Sequence, residues 1–574
     1  MENEAKKIDV VLYWHMHQPD YRDPDDGHYH LPWTYLHTLK DYVDMVALIE
    51  DNPKAKAVVN FVPTLLEQID DYAHQIFDYI NNGSPVRDPL LAGFVEGNLP
   101  ETGEERIELA RACLRANEMR MIDPFPAYRE LAKLVRQLES APHQFIYLND
   151  QFLIDLLVWY HLVWLGYTVK RDNVLIERLL KKGHGFDEED RRQLLTLVHD
   201  LIWHVISRYK KLAEKGQIEL SMTPYAHPIM PLLLDIKSAH DAMPDAQLPK
   251  AESYAGGEAR ARWHIEEGFK SFEHFFGMRP VGCWPAEGSV SAATINLLSD
   301  YGIRWCASGE GVLKSSLHAS GYEGVGDGPS VFSQPCRIEG SGDTVCFFRD
   351  DGLSDLIGFT YSDWHADDAV GDFIHHLENI AANHHRHGDQ VLVPIILDGE
   401  NAWEHYPENG FYFLSALYKR LVEHPDINLT TFSEYLDNKP TINELSHMVA
   451  GSWVYGSFST WIGDPEKNAA WDLLCDAKVA VDKYFDENSI DTEMRYRVER
   501  QLAICEGSDW CWWFGDYNPG DSVSDFDRLY RLHLKRLYQL INVQPPTELE
   551  SVISSGGGDA EGGGTMRRGG QGNI

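Results

Sequence analysis

At 574 residues the chain is too long for one ordinary domain and long enough to bury a large core, so a catalytic-size domain with a companion is expected. A formal charge of −38 repels phosphate backbones and anionic lipid surfaces, which excludes nucleic acid and membranes as natural partners. An aromatic content of 11% suits stacking on neutral sugar rings as well as an ordinary large core.

The amino terminus runs straight into an apolar strand without a signal segment, no run is apolar enough over sufficient length to span a membrane, and the eight cysteines form no Cys-x-x-Cys pair. A reducing cytoplasm is the expected compartment. Val10 to Trp14 reads as a buried strand ending in His15-Met16-His17-Gln18-Pro19, and the two histidines share one face if the strand reaches them. Tyr35 to Glu50 has helical periodicity, and Ala57 to Phe61 forms a second strand. From about 84 to 215 the pattern is helical throughout, an insertion expected to cover one mouth of the site, with its aromatics in its own core. Gly216 to Thr223 supplies a third strand carrying Glu219, followed by Pro224-Tyr225-Ala226-His227-Pro228. A lone acid in an apolar strand faces a polar site or an exposed edge, because an unpaired buried charge is expensive.

The stretch Val281-Gly282-Cys283-Trp284-Pro285-Ala286-Glu287-Gly288-Ser289 sets one carboxylate beyond a short strand, beside a tryptophan and ahead of a helix over Ala292 to Tyr301 that Ser289 or Ser291 can cap. Such a carboxylate sits near the positive end of the helix dipole, which favours its ionised form. The plain alternative is a surface glutamate before a helix. A second acid follows the run Val391 to Leu397, where the chain continues Asp398-Gly399-Glu400-Asn401-Ala402-Trp403. Retaining glycosidases need one carboxylate as nucleophile and another as acid/base, carried on different elements that converge across the scissile bond. For Asp398 alone the alternative is a turn residue bonding nearby backbone, with Gly399 supplying an unusual dihedral.

Strands at Arg304 to Ala307 and Val345 to Phe348, with helices such as Trp263 to Phe276 and Ala366 to Ala382, complete an alternation expected to form a parallel sheet closed or nearly closed into a barrel. His15, His17, Glu287, Asp350 and Asp398 then fall at strand C-terminal ends. Beyond Asp398 the chain turns mainly helical, with Asn428 to Phe432 as one more strand candidate. The loop Trp453 to Pro465, polar and aromatic, belongs at the site's rim or packs two domains together. The stretch 546–574, glycine-rich from Ser554 on, has few apolar residues and is expected to be disordered.

Taken in order, His15-Met16-His17-Gln18-Pro19, Gly216-Gln217-Ile218-Glu219-Leu220 with His227-Pro228, Trp284-Pro285-Ala286-Glu287, Asp398-Gly399-Glu400-Asn401 and the Trp453 to Asp464 loop resemble glycoside hydrolase family 57. The resemblance covers the chain from about residue 8 to about residue 540. It implies a retaining α-glucan enzyme on an incomplete seven-stranded β/α barrel, here 1–410 with the insertion at 84–215, followed by a mainly α-helical domain at 411–545. It implies Glu287 as nucleophile and Asp398 as general acid/base. His15, His17, Glu219, His227, Trp284, Asp350, Trp403, Trp461 and Asp464 become substrate-binding residues, with no metal and no cofactor.

The segment Phe347 to Phe359 is similar to one in the amylase and amylopullulanase branch, which tilts the expectation towards hydrolysis of α-1,4 bonds, with α-1,6 bonds as a second class. A 4-α-glucanotransferase or a branching enzyme would use the same two carboxylates. Two further readings compete. One is a metal-dependent deacetylase with His15, His17 and Asp350 as ligands, and the other is a glucan-binding protein without activity.

Overall fold

The computed structural model describes residues 7–97, 99–322, 333–385, 391–558 and 566–569. Its strands are β1 (Ile8–Met16), β2 (Ala57–Phe61), β3 (Ile218–Met222), β4 (Gly282–Cys283), β5 (Trp305–Gly309), β6 (Cys336–Ile338), β7 (Val345–Arg349), β8 (Leu392–Asp398), β9 (Ile427–Leu429) and β10 (Asn443–Leu445). Seven of them run parallel in the order β7-β5-β4-β3-β2-β1-β8. The two end strands meet through single bonds: the Asp350 N–H donates to Pro394 O at 2.8 Å and Arg349 Nε to Ile396 O at 2.8 Å. The sheet therefore curls into an incomplete barrel, as expected. β9 pairs with the start of β1, and β6 and β10 extend the sheet beyond β7. At three residues each, β6 and β10 are too short to carry a periodicity that sequence reading could find.

Alternation along the strands decides what fills the barrel. Val11 and Tyr13 of β1 point inward with Val58, Trp305, Phe347 and Ile396, and Phe432 and Tyr435 plug the end nearest the strand N-termini. Val10, Leu12, Trp14 and Met16 point outward into the larger core beneath the helices. Burial on both faces explains why β1 reads as a nearly continuous apolar run. The next inward residue after Tyr13 is His15, in register with Asn60 of β2 and Asp398 of β8. The polar site thus begins where the apolar filling ends.

Between β2 and β3 lie the insertion helices, from Pro89–Glu96 to the long Glu188–Glu214, whose first turn is closed by a capping box between Asp187 and Asp190. Helices Pro465–Glu487, Thr492–Cys505, Asp509–Trp513 and Gly520–Leu540 follow the barrel. Among the described residues no helix is long and apolar enough to cross a membrane. All eight cysteines are buried and unpaired.

The expected disorder of 546–574 does not hold for the described part of that stretch. Ser554 is buried and accepts from the Gly515 N–H at 3.0 Å, the N–H groups of Gly557 and Gly558 each donate to Asn518 O at 3.0 Å, and Met566 is buried. Backbone bonds to Asn518 supply the anchorage that a scarcity of apolar side chains denies. Residues 559–565 and 570–574 lie outside the described residues.

Candidate active site

A cavity of about 580 Å³ opens at the C-terminal ends of the strands. The barrel contributes His15, His17, Glu287, Asp398 and Glu400, the insertion contributes Arg115 and Trp164, and the later chain contributes Trp453, Asp509, Trp512 and Trp513. Both carboxylates singled out from the sequence therefore line one space.

Glu287 sits in a short turn after β4 with φ 58°, a left-handed backbone that costs a residue with a Cβ about 1–3 kcal/mol. The strain is held from a distance. The Trp453 backbone N–H donates to Glu287 O at 3.1 Å, and its indole N–H donates to Glu287 Oε2 at 2.9 Å. Arg349 lies over the Trp453 ring at 5.5 Å and is itself pinned by Asp351 at 2.9 Å and Asp355 at 2.7 Å. The helix that follows is capped by Ser291, which accepts from the Thr294 N–H at 3.2 Å. Its first residue is Ala292, so Glu287 lies outside the first turn, where the dipole acts. The expected help to the ionised form is overturned: burial, and then the charge of Asp398, push Glu287 up to about 8, with the Trp453 hydrogen bond opposing in part.

Asp398 ends β8 and accepts from Asn401 Nδ2 at 2.9 Å; burial raises its pKa and that amide holds it back. Gly399 is required for a different reason from the one expected. It is absent from the positive-φ residues, and a Cβ there would meet Met16 Sδ at 2.1 Å while its N–H donates to His15 O at 2.7 Å. Glu400 is a third carboxyl in the cavity. Its Oε1 accepts from the His17 N–H at 3.2 Å and Gln18 Nε2 at 3.3 Å. Burial, with Asp398 nearby, holds it well above the usual carboxylate range.

Beneath the carboxylates a chain of hydrogen bonds assigns the histidine tautomers. Asn60 Nδ2 donates to Ser221 Oγ at 3.1 Å, so its Oδ1 receives the His15 Nδ1–H at 2.7 Å. His15 Nε2 then accepts from His227 Nε2 at 3.2 Å, and His227 Nδ1 accepts from Ser508 Oγ at 2.8 Å. Both rings are neutral: burial and the nearby His17 push His15 down to about 3 and His227 well below its ordinary value. His227 Nδ1 lies 3.9 Å from Glu287 Oε1. His17 Nε2 bonds Asp509 Oδ1 at 2.7 Å.

Donor atoms of His17, His227 and Asp509 lie within 4.8 Å of one another, a set that could hold a metal ion. The His17 and His227 rings, however, stack at 3.9 Å and 19°, so their in-plane lone pairs run side by side, whereas a metal needs them to converge. The His15, His17 and Asp350 set of the deacetylase reading is not assembled, because Asp350 is occupied elsewhere.

Of the residues implied to bind substrate, His15 and His17 line the cavity, and seven others do not. His227 and Trp284 stand directly behind the lining, Trp284 buried 5.2 Å from the Trp453 ring and 6.0 Å from His15. Glu219 lies near the opposite end of the barrel, bonded to Trp305 Nε1 at 2.7 Å and to Ser433. Asp350 caps the helix Asp351–Asp355, accepting from the Leu353 N–H at 2.8 Å. Trp403 is buried and donates to Gly399 O at 2.9 Å, bracing the turn that carries Asp398. Trp461 is buried 5.9 Å from Trp512, and Asp464 caps the helix Pro465–Glu487. A tryptophan or acid beside a motif can point to either side of the chain, and none of these reaches the cavity lining.

Sequence reasoning missed Asp509, Trp512 and Trp513, which come from Ser508-Asp509-Trp510-Cys511-Trp512-Trp513 in the helical region. An acid among three tryptophans was the available signal. Glu400 and Trp453 stood within quoted motifs, but nothing local marked them above their neighbours.

The model of glycosyl hydrolase family 57 matches residues 11–447. No curated protein matches the chain. Among solved structures, an α-amylase from Thermotoga maritima is 14% identical with a TM-score of 0.56, over 95% of this chain and 94% of that one. GH57 branching enzymes are similar too. That of Thermococcus kodakaraensis is 14% identical with a TM-score of 0.55, over 93% of this chain and 90% of that one. That of Pyrococcus horikoshii is 15% identical with a TM-score of 0.55, over 97% of this chain and 98% of that one. Such identities speak for a shared fold, and the family match over most of the chain carries the assignment: the chain belongs to glycosyl hydrolase family 57.

Proposed function

We propose that the protein is a retaining α-glucan-active glycoside hydrolase that cleaves α-1,4 bonds, with α-1,6 bonds as a second class, using Glu287 as nucleophile and Asp398 as general acid/base. The observation that carries this reading is the shared cavity: two coupled carboxyls on different strands, ringed by Trp453, Trp512, Trp513 and Trp164. Buried together, the pair holds one proton more readily than two charges, and its titration belongs to both groups. One carboxylate and one acid is the state that double displacement consumes. The Trp453 indole N–H stabilises the charge on Glu287, against burial and the charge of Asp398, which hold that carboxyl up at about 8.

In the first step Glu287 attacks the anomeric carbon, the glycosidic C–O bond breaks, and Asp398 gives its proton to the leaving oxygen. In the second, Asp398 takes a proton from water, whose oxygen displaces Glu287 and restores both groups. His15, with both ring nitrogens bonded to Asn60 and His227, and His17, held by Asp509, form part of the wall against which a sugar lies, and the indoles offer flat faces to sugar C–H surfaces. An acceptor sugar in place of water turns the same steps into 4-α-glucanotransfer or branching, a second reading favoured by the similarity to branching enzymes as well as to an amylase.

Incubation with maltoheptaose and with amylopectin, following reducing ends and product sizes, separates the two. Rising reducing ends mean hydrolysis, and constant reducing ends with longer, cyclic or branched products mean transfer. A wild type no more active than Glu287→Gln on both substrates would sink the reading.

A further inference from the structure

The segment Met566 to Gly569 lies far along the chain from every catalytic motif, yet it returns to the cavity, where Met566 and Arg567 form part of the lining. Three separate parts of the molecule hold it. From the helical region, Asn518 Oδ1 accepts from Arg567 Nη2 at 2.7 Å, and the guanidinium lies 5.2 Å from the Trp512 ring and 4.7 Å from that of Tyr517. From the segment after β7, Asp355 Oδ2 accepts from the Gly569 N–H at 3.2 Å, Phe359 lies under Arg568 at 5.2 Å, and Met566 packs by Gly358. From the loop that carries Trp453, the Tyr455 N–H donates to Gly569 O at 3.2 Å.

The seat is fitted to glycine: a Cβ at 569 would meet Asp351 Cγ at 2.7 Å and Arg349 Nη1 at 2.8 Å. Ordering four residues costs backbone entropy, and these contacts on both backbone and side chains offset it. The Trp512 face that a sugar could stack upon is partly taken by Arg567. A glucan passing there meets guanidinium N–H donors in a planar fork, matched to adjacent hydroxyls, and the apolar side of Met566.

We propose that Met566 and Arg567 form a substrate subsite, in which Arg567 donates hydrogen bonds to the hydroxyls of one glucose unit of the glucan and Met566 meets its C–H surface, with Gly569 as the anchor that seats them. The inference rests on the α-glucan reading above and names a wall of that same site.

The test uses the full chain carrying Glu287→Gln, so that ligand is not consumed, with maltoheptaose binding read by calorimetry. Adding Arg567→Ala weakens binding about tenfold, the size of a lost charge-assisted hydrogen bond, and Arg567→Lys lies between. Gly569→Ala, which touches no sugar, weakens it similarly by unseating the strap and exposes the Arg567 and Arg568 bonds to trypsin. In the active chain the same changes raise KM and leave kcat within about twofold, since the contact is uniform binding. Unchanged or tighter maltoheptaose binding in both tail variants, or rapid tryptic cleavage at Arg567 in the parent chain, overturns the subsite alone. If the parent chain binds no α-glucan, the functional reading falls and the subsite with it.

Discussion

Two glutamates point into the same barrel from opposite ends and meet opposite environments. Glu219, near the strand N-termini, accepts from Trp305 Nε1 at 2.7 Å, the Ser433 N–H at 3.0 Å and Ser433 Oγ at 2.6 Å. Glu287, at the other end, has the Trp453 indole N–H at 2.9 Å, a strained backbone and a like-charged neighbour in Asp398. Burial raises both carboxyls, but donors answer it at Glu219 and a second carboxyl compounds it at Glu287. Buried polarity with its bonds made holds the barrel's end together, and buried polarity under electrostatic stress is where proton and group transfer become feasible.

Substitutions can break this contrast. The largest effect is expected from Glu287→Gln and from Asp398→Asn, each lowering kcat by about 10³-fold or more in steady-state assays, because each removes a group that must change its bonding during the reaction. Glu219→Ala is expected to lower the stability of the barrel by about 3 kcal/mol in urea titrations, since the indole and hydroxyl donors lose their acceptor, while KM stays within about twofold. A large rise in KM with unchanged stability would instead return Glu219 to the substrate-binding set.

Trp453→Phe keeps the ring and removes the donor to Glu287 Oε2, so kcat falls about 10- to 100-fold. Losing a donor to the charged form raises Glu287 further, and because the nucleophile must be ionised, the limb of kcat/KM that Glu287 sets moves to higher pH. The smallest effect concerns stability. Raised from its ordinary 4.5 to about 8, Glu287 contributes fully to stability below the first value and loses that contribution as pH climbs to the second. Glu287→Gln, which cannot ionise, is therefore expected to gain steadily on the wild type as pH climbs from about 5 to about 8, and by nothing below about pH 4. Equal pH dependence of the two melting curves would contradict the stressed carboxyl.

The degree to which the molecule was legible follows the range of each interaction. β1, β2, β3 and β8 were visible because apolar runs and alternation are local, and the positions of Glu287 and Asp398 followed from the strands they end. The tryptophans were a different matter. Trp284, Trp403 and Trp461 stand beside the motifs but pack behind the cavity, whereas Trp512 and Trp513, far along the chain, line it. Which face an indole presents depends on what lies across from it.

By itself the sequence determined the strand and helix alternation, the polar strand ends and the two carboxylates, all consequences of residues within a few positions of one another. Only the tertiary structure decided that Glu219 belongs to the barrel's closed end and that Trp453 holds Glu287. It alone seated Met566 and Arg567 in a cavity wall and turned the expected ionised glutamate into one pushed up to about 8. Burial and through-space charge depend on neighbours brought together by folding, and no spacing along the chain encodes them.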